Sequence, residues 1–153
     1  MQRFLGIVLA GALLPLSFVY SQDDAVKKEQ KKLQGDWQIV RSEEDGLPTA
    51  DFIVQNLKIS IKGKQITIKG VEELVERFGK VTMAIDPSTQ PKIMDFNVVV
   101  GKDKDNRHDG IYEWNGEQLK ICVTTVNGGD RPNEFKTKAG SKRLLVTLKR
   151  ATR

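Results

Sequence analysis

The chain has 153 residues, within the range of one domain, and its 39% hydrophobic and 29% charged residues belong to a soluble globule rather than a disordered chain. Its formal net charge of +5 would suit a nucleic-acid binder, but the lysines are spread out and interleaved with acids, so they form no phosphate track. A single cysteine, Cys122, excludes an intramolecular disulfide, and the fold must stand on its core.

The first stretch has the layout of a secretory leader. Arg3 places a positive charge ahead of an apolar run from Phe4 to Val19. Val19 and Ser21 then supply the small residues that signal peptidase reads, just before Gln22 and Asp23-Asp24. The run is short for a comfortable bilayer span. The expected organisation is a signal peptide at 1–21 and one domain at 22–153, exported to the periplasm or outside the cell, with no stable membrane span after cleavage. No cysteine follows the apolar run, so that position offers no site for lipid attachment.

Asp23 to Leu33 reads as a short polar helix, with Val26 and Leu33 as its apolar anchors. Its densest basic group, Lys27, Lys28, Lys31 and Lys32, reads as a solvated helical face. From Gly35 the apolar residues recur every second position, the period of half-buried strands. Trp37 and Ile39 begin the pattern. Then come Leu57, Ile59 and Ile61; Ile66 and Ile68; Val81, Met83 and Ile85; and Met94, Phe96, Val98 and Val100. Leu119, Ile121 and Val123 follow, and Leu144, Val146 and Leu148 close the series. Asp45-Gly46, Gly63, Gly79, Asp86-Pro87-Ser88, Asn115-Gly116 and Asn127-Gly128-Gly129 punctuate the runs as turns. Val71–Phe78 has apolar spacing that could fit a helical turn, but its β-rich surroundings favour an extended or irregular segment. The expected fold is mainly β: a single antiparallel up-and-down β-barrel of about 8–9 strands with a short N-terminal helix, a sandwich being the other way to close such a meander.

Asn115-Gly116 is a strong hairpin signal. A two-residue turn at that pair sets Trp114 opposite Glu117 and Tyr112 opposite Leu119. Tyr112, Trp114, Leu119, Ile121 and Val123 then share the core face. Ile111, Glu113, Gln118, Lys120, Cys122 and Thr124 share the other.

Gly35-Asp36-Trp37, opening the first strand after the helix, resembles the Gly-x-Trp signature of lipocalins and their calycin relatives. Arg150 stands where those folds place a basic residue over the tryptophan ring. The resemblance implies barrel closure by Gly35, Trp37 and Arg150, a structural role. A wider set of motifs runs through the chain in order: Leu33-Gln34-Gly35-Asp36-Trp37, Asp86-Pro87-Ser88, Pro91-Lys92-Ile93-Met94-Asp95-Phe96, Gly110-Ile111-Tyr112-Glu113, Leu119-Lys120-Ile121-Cys122, Arg131-Pro132-Asn133-Glu134-Phe135 and Leu148-Lys149-Arg150. This set is similar to a family of uncharacterised exported domains described from planctomycete bacteria. Membership implies a lipocalin-like barrel and no established activity. Compared with that pattern, this chain carries an extra stretch near Val71–Arg77.

No constellation of nucleophile, base and orienting group stands out, so the chain is expected to be non-enzymatic, with no catalytic residues, no metal and no cofactor. The single histidine, His108, falls in what reads as a polar hairpin tip, without a second histidine or a cysteine nearby to complete a zinc site. The run Asp103–Gly110 fails as a calcium loop: Arg107 takes the fifth position, and Trp114 stands where the bidentate glutamate belongs. Arg131 has two readings: an ion pair with Glu134 that clamps its loop, which is favoured, or a guanidinium at the barrel mouth that holds a ligand carboxylate. Asp95 is expected on the face opposite Met94 and Phe96, paired with a lysine such as Lys92. Cys122 reads as a covered small hydrophobe, ahead of a reactive thiol or a site of intermolecular pairing.

Two functions follow. The first is a binding domain, a monomer that takes a small apolar or amphipathic ligand inside the barrel against Tyr112, Trp114, Phe96 and Arg131. The second is an envelope-structural or protein-interaction scaffold with a side-chain-filled barrel, whose partner is an envelope protein. Neither involves nucleic acid.

Overall fold

The computed structural model describes residues 17–152, with side chains from Gln22 onward. The leader assigned to residues 1–21 therefore lies largely outside the described residues. A helix, α1 (Ser17–Leu33), precedes the strands and begins inside that leader, six residues before the polar segment. From Ala25 it is built mostly of alanine, lysine, glutamate, glutamine and leucine, all good helix formers, with Lys31 and Lys32 in its last turn to complement the negative end of its dipole. Among the described residues no helix is long and apolar enough to cross a membrane.

The strands are β1 (Gly35–Glu44), β2 (Leu47–Pro48), β3 (Lys58–Lys62), β4 (Gln65–Lys69), β5 (Lys80–Asp86), β6 (Lys92–Val100), β7 (Arg107–His108), β8 (Gly110–Asn115), β9 (Gln118–Thr124) and β10 (Arg143–Arg150). Two short helices interrupt them, α2 (Asp51–Asn56) and α3 (Glu72–Arg77). The long strands pair antiparallel in the order β1-β3-β4-β5-β6-β8-β9-β10, and β10 returns to pair with β1. The result is a closed eight-stranded antiparallel barrel, to which the two-residue β2 and β7 attach as annexes. Sequential long strands pair throughout, joined by short turns at β3–β4, β5–β6 and β8–β9 and by longer connections elsewhere, in the up-and-down order a chain reaches most directly.

Val71–Phe78 departs from the extended reading: Glu72–Arg77 forms α3. Leu74 and Val75 sit on a single helical turn, and Val71 beside them is buried. The hairpin at Asn115 also shifts. Gly116 and Glu117 make the turn, Asn115 pairs with Gln118, and Trp114 faces Leu119 rather than Glu117. Of these residues only Gly116 has positive φ, at 60°, as a type II′ turn with glycine at its first central position requires. The shift is an even number of residues, so the faces keep their parity. Tyr112, Trp114, Leu119, Ile121 and Val123 do point inward.

The barrel interior is occupied by side chains. Trp37, Tyr112, Leu119, Met94, Leu148 and Val98 are all essentially inaccessible, and Leu33 of α1 joins them from the end of the barrel. Eight strands enclose a lumen just wide enough for such filling. A bulge between Ile39 and Arg41 resets the alternation of β1. It leaves Val40 exposed and turns Ser42 inward, where its hydroxyl meets that of Thr49 at 2.8 Å.

Candidate functional site

The most concentrated polar chemistry lies where α1 covers one end of the barrel. Val26, Glu29, Gln30 and Leu33 lie along the helix face turned toward the strands, at the i, i+3, i+4 and i+7 spacing that forms one stripe. Glu29 reaches into the barrel end. Its Oε2 accepts from the Tyr112 hydroxyl at 3.0 Å and from the Trp114 Nε1–H at 3.0 Å, and its Oε1 accepts from Lys92 Nζ at 2.9 Å. Burial pushes the Glu29 carboxyl upward, but the hydrogen bonds from Lys92, Trp114 and Tyr112 outweigh it and hold the group below its ordinary value. Burial, with the Glu29 charge beside it, drives the Tyr112 hydroxyl far above its usual range. Glu29 is thus a carboxylate at ordinary pH, and Tyr112 is a pure donor to it.

The closure residues meet at the same end. Trp37 and Arg150 are register partners on β1 and β10. The Arg150 guanidinium stacks over the Trp37 ring at 4.6 Å and donates to the carbonyls of Gln34 at 2.7 Å and Lys32 at 2.6 Å. It therefore caps α1 as well as covering the indole. Trp37 Nε1 donates to the Leu33 carbonyl at 2.9 Å, and the Trp37 and Trp114 rings lie 6.0 Å apart. Gly35 carries φ of +115°, and a Cβ there would stand 3.1 Å from the Arg150 guanidinium.

Arg131 is not clamped to Glu134. It lies outside the barrel and grips Asp95 with both terminal nitrogens, the Nη2–Oδ2 distance being 3.0 Å, and it also donates to the Gly110 carbonyl at 2.9 Å. Asp109 Oδ2 lies 3.3 Å away, and Arg107 bonds Asp109 at 2.7 Å and Asp95 at 3.4 Å. Asp95 also accepts from the Gly110 amide, in the gap between the β7 and β8 pairings, which follow one register along β6. Asp95 does face away from Met94 and Phe96, but its partners are arginines, and Lys92 serves Glu29 instead. Glu134 pairs loosely with Lys136 at 3.9 Å. Arg131 and buried Pro132 thereby pin the long connection 125–142 across the outer wall, where Ile111 and Cys122 are buried beneath it. The Cys122 thiol has zero exposure, faces the Lys136 carbonyl at 3.9 Å, and is pushed up by burial.

Phe96 lies inside the barrel and pairs in register with Met83 and His108. His108 is consequently not a polar tip. Its ring turns inward, with Nδ1 3.1 Å from the Thr124 carbonyl and the ring edge-on to Phe78, while Nε2 is buried without a partner among the described protein atoms. Among the described residues no group of three or more His, Cys, Asp or Glu side chains is arranged to hold a metal.

Tyr112 and Trp114 thus come together on Glu29 inside the barrel, Phe96 faces the interior four residues further along β6 beside Met83 and His108, and Arg131 stands apart on the outer wall. Glu29, the residue on which Tyr112 and Trp114 converge, was missed. The signal available was its place in the same helical stripe as Val26 and Leu33. Two concavities, about 360 Å³ and 270 Å³, are open grooves on the outer wall bordered by the 133–137 segment, and the barrel residues Tyr112, Trp114 and Phe96 line neither. No family model matches the chain, nor does any curated protein or solved structure.

Proposed function

We propose that the chain is an exported, non-enzymatic scaffold domain: a lipocalin-like barrel filled by its own side chains, which makes its contacts on its outer surface. The observation that carries this reading is the state of Tyr112 and Trp114. Their polar tips are the groups a ligand inside the barrel would use, and both are spent on Glu29 of the same chain. A ligand would have to displace a carboxylate that three donors hold, and to open room among Trp37, Met94 and Leu119, which are fully buried. The non-enzymatic part of the reading is supported by Asp95, Asp109, Arg107 and Arg131 saturating one another, and by the covered thiol of Cys122.

Fluorescence tests the scaffold reading. An anilinonaphthalene dye and a series of fatty acids titrated against residues 22–153 should give no saturable change in dye emission or in that of Trp37 and Trp114. A saturable, one-to-one response that a fatty acid competes away would overturn it. Export is tested by sequencing the N-terminus of the chain recovered after expression with its leader, which should begin at Gln22.

A further inference from the structure

Cations outnumber acids at one end of the barrel and are matched by them at the other. At the end away from α1, Arg77 pairs with Asp103, Lys102 with Glu76, and Arg107 with Asp109 and Asp95, while the exposed lysines Lys80, Lys104 and Lys138 are offset by the exposed acids Glu44, Glu72, Glu73 and Asp105. At the α1 end, Lys27, Lys28, Lys31 and Lys32 are exposed on the helix, and Lys62 and Lys64 are exposed on the β3–β4 turn. That turn is tied to the C-terminus of α1 through Gln34, whose side-chain amide bonds both the N–H and the carbonyl of Gly63, at 2.6 Å and 3.1 Å. Among the described residues none of these six lysines has a carboxylate oxygen within ion-pair distance. Glu29, on the same helix, is turned inward and spent on Lys92, Tyr112 and Trp114. The acids at this end are Asp36 and Glu117, both exposed, and the half-buried Asp86, with Asp23 and Asp24 one turn from Lys27 and Lys28 and two turns from Lys31 and Lys32 along the helix. Turning Glu29 inward thus leaves its lysine neighbours in excess on the outer face.

We propose that this capped end docks on an anionic lipid surface. The inference rests on the scaffold reading, in which the barrel makes its contacts outside. Lipid is favoured over a nucleic acid for two reasons. The cations are lysines, which act as point charges suited to a field of headgroup phosphates, and the one aromatic ring beside them, Trp114, is half-buried with Lys32 Nζ 3.8 Å over its face, so it is not free to stack a base. In addition, α1 starts within the apolar run Phe4–Val19, so before any cleavage the basic face lies just beyond a membrane-seeking segment. Each lysine near an anionic bilayer multiplies binding by about fivefold, and the effect fades with salt over a Debye length.

Co-sedimentation tests the proposal. Residues 22–153, which contain the whole barrel core, are mixed with vesicles of phosphatidylcholine alone or with phosphatidylglycerol added, at low and high salt. Binding is expected only to the anionic vesicles and is expected to disappear at high salt. The triple variant K27E/K28E/K31E should lose about 100-fold or more in partitioning. K80E/K104E/K138E, with the same net charge but altered at the other end, should bind nearly as the parent does. Far-UV circular dichroism verifies that both variants are folded. No binding to anionic vesicles at low salt, or equal losses in the two variants, would overturn the proposal. Tighter binding to a DNA oligonucleotide than to the vesicles would also overturn it, in favour of a polyanion partner. The dye and fatty-acid titration reports on the filled barrel separately, so failure of docking and failure of the scaffold reading are distinguishable.

Discussion

Glu29 and Tyr112 are joined by a 3.0 Å hydrogen bond across a sequence separation of 83 residues, which ties the helix preceding the barrel to a fully buried strand residue. Removing the acceptor strands three donors at once. Glu29→Ala is expected to cost about 2–3 kcal/mol, the range for losing hydrogen bonds to a charged group. Tyr112→Phe, which leaves Glu29 its other two donors, should cost about 1 kcal/mol. Urea denaturation followed by tryptophan fluorescence checks both values.

Acid should weaken this contact in a defined window. The folded-state pKa of Glu29 lies below the ordinary glutamate value of 4.5, so its contribution is fully present above that value. It is lost as the pH falls from 4.5 through the depressed folded value. Glu29→Gln should be less stable than the parent at neutral pH and should show a shallower loss of Tm below pH 4.5. Parallel melting curves for parent and variant across this range would contradict the assignment.

The network on the outer wall predicts a particular coupling. Arg131→Ala should cost about 1.5–3 kcal/mol, and Arg131→Lys should recover only part of it because an ammonium cannot reproduce the two-pronged grip. In double-mutant cycles, Arg131 should couple to Asp95 by about 1 kcal/mol or more and to Glu134 by about zero. Equal coupling to both would restore the local clamp.

Cys122 should be inert to an aromatic disulfide reagent in the folded protein at pH 8 and should react fully in urea. Its burial raises the thiol's pKa and leaves no path to it while the 125–142 connection is pinned. The Arg131→Ala variant should react faster than the parent, because it loosens that connection.

Gly35→Ala should destabilise by about 1–3 kcal/mol, since alanine would be strained at this positive φ and its Cβ would crowd the Arg150 guanidinium. Arg150→Ala should cost a similar amount by freeing two carbonyls at the end of α1 as well as uncovering Trp37. Calorimetry measures both.

Much of the barrel was legible because period-two alternation is a direct consequence of strand geometry. Met94, Phe96 and Val98 on β6, and Leu119, Ile121 and Val123 on β9, announce their inner face without any knowledge of partners. The polar partners were not legible, because ion pairs depend on which strands become neighbours. Arg131 was matched to Glu134 by proximity in sequence, whereas the sheet order brings it to Asp95, 36 residues away. Glu29 was hidden among lysines and glutamines on a helix that looked uniformly solvated. His108 was misplaced because β7 has only two residues, too few to show a period. The turn at Gly116-Glu117 was offset by one position because Asn-Gly and Gly-x turns share the same glycine.

Native mass spectrometry of the protein, expressed with its leader and purified without detergent or heating, tests the filled-barrel claim most directly. The account predicts a single species at the mass of residues 22–153 with nothing added. A reproducible added mass that disappears on denaturation would show a carried ligand and contradict it.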